Sequence, residues 1–163
     1  MGLDMYLNRK TYVKNWPHMG PEDLHQISVK LNKQKHPYIK KDKITYITEE
    51  VGYWRKANAI HKWFVDNCQN GVDDCRGSYV GYDQLKDLLT ICKEIQSNHY
   101  RAPELLPTQA GFFFGDTSYN EWYFNDIDKT IKILEPLVEL NDKLKRSSDS
   151  VNFYPIYEYH SSW

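Results

Sequence analysis

No stretch of the chain approaches the roughly 20 consecutive apolar residues that a membrane-spanning helix needs. The start lacks the basic-then-apolar order of a secretory signal. Met1-Gly2 opens the sequence, but Tyr6 stands where a myristoylation signal has Ser or Thr. Net charge is only −1, so no overall field draws the protein to nucleic acid or an anionic membrane. Cysteines are few, Cys68, Cys75 and Cys92, with no CxxC. That odd set points to reduced thiols in a cytosol. GxGxxG, P-loop, HExxH, GxSxG and zinc-finger spacings are also absent. His61, Cys68 and Cys75 lack metal-ligand spacing, so neither a metal nor a cofactor is expected. These gaps remove the enzyme classes that carry a signature. They leave those whose sites are assembled from scattered residues.

Aromatic side chains are abundant, with 13 Tyr, 6 Phe and 5 Trp among 163 residues. They supply a large core, but Tyr and Trp need polar partners when buried. One domain spanning 1–163 fits this length. Leu3, Met5 and Leu7 alternate with Asp4, Tyr6 and Asn8, which predicts a half-buried N-terminal strand. Residues 26–32 and 43–49 read as a β-hairpin around a basic tip at about 30–43, rich in lysine. Such a tip can contact phosphates or keep a sheet edge from pairing. Nucleic acid is therefore a possible partner but not the favoured one.

A first helix is expected over 50–69, with Tyr53, Ala57, Ile60 and Phe64 on its apolar stripe. A short strand at 78–80 leads to a second helix at 82–96. Gly111-Phe-Phe-Phe-Gly115 reads as a short apolar strand. Ser118-Tyr-Asn-Glu121 matches a capping box for a third helix running to about 144. Pro136 is expected to kink or split that helix. Residues 146–150 read as a polar linker. Residues 151–159 read as a last strand, at an edge because of Pro155. The order predicts an α+β fold: a mainly antiparallel sheet, three main helices, and both terminal strands in the sheet.

Three places can carry chemistry. On the expected first helix, Trp54, Asn58 and His61 recur at i, i+4 and i+7, with Arg55 alongside. An indole, an amide and an imidazole on one face can stack on and read a nucleobase, and Arg55 can hold a phosphate. The alternative is that Trp54 and His61 pack beside the core. Trp63 falls away from the apolar stripe, which suggests an oligomer or partner contact or, equally, packing against another segment of the chain. The second place is Gly115-Asp116-Thr117-Ser118, where free N–H groups at a helix start can bind an anion. Gln109 and Asp116 bracket the phenylalanines, and Tyr119, Trp122 and Tyr123, just beyond, can wall a pocket. Third, Asp4, Tyr6 and Asn8 can meet Tyr157 and Tyr159 in a tyrosine–carboxylate patch if the termini pair.

The opening Met-Gly-Leu-Asp-Met-Tyr-Leu, the segment Glu49-Glu-Val-Gly-Tyr-Trp-Arg-Lys-Ala-Asn-Ala-Ile-His61, and Leu106-Pro-Thr-Gln-Ala-Gly-Phe-Phe-Phe-Gly115 carry a resemblance. Together they resemble an uncharacterised family of small proteins encoded by bacteriophages and prophages, over nearly the whole chain. The resemblance brings no functional residues. It implies a setting, the cytoplasm of an infected bacterium, and an accessory role such as countering host defence.

The resulting expectation is a non-catalytic protein that binds and sequesters a nucleotide-derived small molecule, as a homo-oligomer. Its ligand residues are Trp54, Arg55, Asn58, His61, Gln109, Asp116 and Tyr119, with Trp63 at an interface. One alternative is an enzyme on such a nucleotide, with His61 or Glu50 as general base. The other is a protein–protein inhibitor acting through Trp63 and the basic hairpin.

Overall fold

The computed structural model describes residues 2–147 and 154–163. Its centre is a four-stranded antiparallel sheet in the order β4-β1-β6-β5, formed by β1 (Asp4–Tyr12), β4 (Tyr46–Arg55), β5 (Ser78–Val80) and β6 (Ile156–Ser162). Helices α1 (Asn58–Cys68), α2 (Tyr82–Ser97) and α4 (Glu121–Arg146) make the other layer, with a single-turn α3 (Ala102–Leu105) between α2 and α4. The fold is therefore α+β, with both terminal strands in one sheet.

The alternation of Leu3, Met5 and Leu7 decides which face is buried. They join Trp54, Val80, Tyr157 and Tyr159 in a core shared with Phe64, Leu88 and Leu134 of the helices. The opposite face stays open, as antiparallel sheets allow. There Tyr6 stacks on His160 with centroids 4.9 Å apart, and Tyr53 donates to Asp4 at 2.5 Å. A tyrosine–carboxylate patch thus exists, but its members differ from those expected. Tyr157 and Tyr159 point into the core, because Tyr159 pairs with Leu7 and shares its inward face. Gly52 lies where α4 crosses β4. A Cβ there would meet Ile133 Cγ2 at 2.8 Å, so only glycine permits this approach.

Several expectations change. Residues 26–32 and 43–49 do not pair with each other. A small separate hairpin, β2 (Lys30–Leu31) with β3 (Gln34–Lys35), forms the basic tip, and β4 pairs with β1. The strand from Tyr46 continues to Arg55, so residues 50–55 are extended rather than helical. The Phe run is a turn, tied to the sheet by Leu3 N–H donating to Phe113 O at 3.0 Å. Asn120, not Ser118, caps α4, its Oδ1 accepting from the N–H groups of Trp122 and Tyr123. The helix runs through Pro136 without splitting. β6 lies inside the sheet, between β1 and β5, and Pro155 precedes it, where no ladder hydrogen bond is lost. The start of the expected last strand, 151–153, and the linker's end, 148–150, lie outside the described residues. Among the described residues no helix is long and apolar enough to cross a membrane.

Candidate functional site

The chain leaves β4 at Arg55 and turns sharply into α1. Lys56 makes the turn in the left-handed region, at φ 57°. That conformation is unfavourable for a residue with a Cβ. Two hydrogen bonds hold it: Lys56 N–H donates to Leu3 O at 2.8 Å, and Asn58 N–H donates to Lys56 O at 2.9 Å. Gly115, at φ 85°, brings the facing loop against Lys56, where an added Cβ would lie 3.2 Å from the lysine Cβ.

Asn58 fastens this loop to α1. Its Nδ2 donates to Phe114 O at 3.1 Å and to Asp116 O at 2.8 Å, and its Oδ1 accepts from Gln109 N–H at 3.0 Å. The amide is buried and its main bonding capacity is used by backbone, so it positions the loop instead of reading a ligand. Asp116 is likewise engaged: it accepts from Ser118 N–H, Ser118 Oγ and Asn120 Nδ2. The Ser118 bonds hold its carboxyl below the usual carboxylate range.

Between this junction and the first turns of α4 opens a cleft of about 420 Å³. That is within the size range of small-ligand sites. Ala57, Ala59, Ile60 and Ile127 give it an apolar floor, and Arg55, Lys56 and Lys129 place three cations on its rim. Arg55 is 58% exposed, with Asp4 at 3.8 Å as its ion-pair partner. Lys129 lies over the Tyr53 ring, 5.4 Å from its centroid. Helix α1 has no side-chain cap, and among the described residues the N–H groups of Ala59 and Ile60 have no hydrogen-bond acceptor. They line the same cleft. Trp122 also lines it, yet is 76% exposed.

Asp126 completes the wall. Its side chain is half-buried and accepts no hydrogen bond among the described residues. Burial pushes its carboxyl up to about 6, although Lys129 opposes the rise. A carboxyl displaced this far and lining a cleft is a mark of functional sites.

Of the residues expected to bind, Arg55, Asn58 and Asp116 meet in the cleft. The others do not. Trp54 is 0% exposed, in a strand, with its Nε1 donating to Thr130 Oγ1 at 2.9 Å. His61 is also 0% exposed. It sits between Asp73 Oδ2 at 2.9 Å from Nε2 and the Tyr159 hydroxyl at 2.7 Å from Nδ1. Since a carboxylate only accepts, Nε2 donates to Asp73. This chain pins α1 to β6 and to the loop at 73, with His61 and Tyr159 buried and Asp73 partly exposed at its end. The expected shared face of Trp54, Asn58 and His61 therefore does not form, because the helix starts only at Asn58. Gln109 contributes its backbone N–H to Asn58, and the Tyr119 hydroxyl accepts from Thr108 N–H; neither lines the cleft. Trp63 is 8% exposed and packs edge-on to Phe64 in the core, so it does not offer the interface expected of it.

Trp122 was among the aromatics expected to wall a pocket, whereas Asp126 and Lys129, on the same side of α4, are the residues the sequence reading missed. The three recur on α4 at i, i+4 and i+7, the spacing sought on α1. The signal was an aromatic lying off the apolar stripe of Ile127, Ile131 and Leu134. A larger depression of about 610 Å³ lies beside the basic hairpin, but no Trp, Tyr or Phe lines it. Among the described residues no group of His, Cys, Asp and Glu is placed to hold a metal ion. Comparison of the chain with known protein families, with curated proteins and with solved structures finds no match.

Proposed function

We propose that the protein binds a nucleotide-derived small molecule in the cleft between β4, α1 and α4, and holds it without transforming it. One observation carries this reading. An exposed indole, three cations and two unpartnered helix N–H groups converge on a single, mostly apolar concavity. Trp122 offers a flat face for a base. Arg55 and Lys56, beside the open N-terminus of α1, suit a phosphate. The burial of His61 and the position of Glu50 outside the cleft support binding over catalysis by either group. In the setting the resemblance suggests, the cytoplasm of a bacterium infected by phage, such capture would withdraw a host signal from circulation. The burial of Trp63 takes away the anchor of the inhibitor alternative.

Thermal shift against nucleoside mono- and diphosphates and cyclic dinucleotides tests the proposal, since a ligand that binds only the folded state raises Tm. At least one compound is expected to raise it, less so in Arg55→Ala and Trp122→Ala, and to be recovered intact after heat denaturation. A panel without effect, or full retention of the shift in both variants, contradicts the proposal.

A further inference from the structure

Building on the cleft as a nucleotide site, we infer that its occupant carries a guanine base, lying on the Trp122 indole with its N1–H and 2-amino group held by the Asp126 carboxylate. Asp126 follows Trp122 by one helical turn, so both project from one side of α4. Both line the cleft, and Lys129 continues the same row toward Arg55 and Lys56. A base stacked on the indole therefore turns an edge to Asp126 and directs its sugar and phosphate to the cationic rim.

The choice of base follows from donors and acceptors. An ionised carboxylate only accepts, through two coplanar oxygens. Guanine presents two adjacent donors on its Watson–Crick edge, N1–H and the 2-amino group, matching that fork. Adenine presents a donor beside the N1 lone pair, which the second carboxylate oxygen repels. Cytosine has one donor beside two acceptors, and uracil one donor between two acceptors. Only guanine gives both carboxylate oxygens a partner. Asp126 has need of them: it is half-buried, and no protein group among the described residues donates to its side chain. A half-buried carboxylate without donors is costly, and two charge-assisted bonds relieve it.

Titration calorimetry at pH 7.5 with GMP, IMP and AMP tests the inference. IMP lacks the 2-amino group and is expected to bind about tenfold more weakly than GMP, and AMP about a hundredfold more weakly. Asp126→Asn replaces one acceptor with a donor. It is expected to reduce the GMP-over-AMP preference at least about tenfold. Trp122→Ala, at an exposed position, weakens every purine about equally while preserving the ranking. Equal affinity of the wild type for GMP and AMP, or a GMP preference unchanged in Asp126→Asn, overturns the guanine assignment but leaves the nucleotide site standing. Binding of none of the three, nor of any other nucleotide, overturns both.

Discussion

Asp126→Asn should make the protein more stable, and by an amount that depends on pH. In the folded chain the Asp126 carboxyl is raised from the ordinary 3.8 to about 6, chiefly by burial. The folded state thus holds the proton more tightly than the unfolded one. Below about pH 4 the group is protonated in both states, and its contribution to stability is fully present. As pH rises through about 6 the fold must carry a poorly solvated charge, and that stability is lost. The rise corresponds to about 3 kcal/mol. Water reaching the open side of the cleft cuts this to about 1–2 kcal/mol. Asparagine has nearly the same shape and no charge. Urea melts at pH 4, 5, 6 and 7 should show the variant equal to wild type at pH 4 and ahead by about 1–2 kcal/mol at pH 7, or roughly 3–6 °C in Tm. A difference that is constant across this range, or a variant that is weaker at pH 7, refutes the argument that Asp126 is desolvated without a partner. A residue that costs stability yet lines a cleft is what a binding site is expected to contain.

The same titration bears on binding. Guanine needs the ionised carboxylate, so GMP affinity should fall about tenfold per pH unit below about 6. The groups facing Asp126 across the cleft are Arg55, Lys56 and Asp116, with Lys129 on its own helix. Calorimetry between pH 5 and 8 checks this, and a flat profile, or an unchanged one in Asp126→Asn, contradicts it. Asn58→Ala leaves two carbonyls and one N–H without partners and should cost about 2–4 kcal/mol in chemical denaturation, with faster amide exchange across 109–116. A loss under 1 kcal/mol would count against its place as the loop's fastening. Gly52→Ala forces a methyl to within 2.8 Å of Ile133 and should cost about 1–3 kcal/mol. A neutral substitution there means α4 can move away from β4 freely.

The fold was legible where one period dominated the sequence. The Leu3, Met5, Leu7 alternation placed β1, and the leucines of α2 placed that helix almost to the residue. The site was misread at residues 50–57, where both periods fit. Tyr53, Ala57 and Ile60 suit a helix, while Gly52 and Trp54 alternate inward in a strand. What decides is β1, which pairs as far as Arg55 through its partner Asp4. That partner lies about 50 positions away in sequence, so no local window reveals it. Tertiary pairing thus turned Trp54 into core and left Arg55 at the rim. Asn120 displaced Ser118 as the cap for a similar reason: Ser118 is drawn to Asp116, which stabilises the loop instead. Trp63 lies off the α1 stripe by angle but is covered all the same, since α1 is buried on more than one side. Arg55, Asn58 and Asp116 were found because their chemistry is conspicuous. Trp122 was read only as one of three aromatics beyond the Phe run, and Asp126 was missed because it lies among the polar residues of an amphipathic helix, where only the facing junction gives it meaning.

The cleft itself is tested most directly by heteronuclear NMR during titration with GMP. The account predicts shifts of the Trp122 indole N–H and of the backbone amides of Ala59, Ile60 and Gly115. The Trp54 indole N–H, locked on Thr130 inside the core, should stay fixed. Shifts centred on the lysine-rich hairpin instead, with Trp122 and the start of α1 silent, would contradict it.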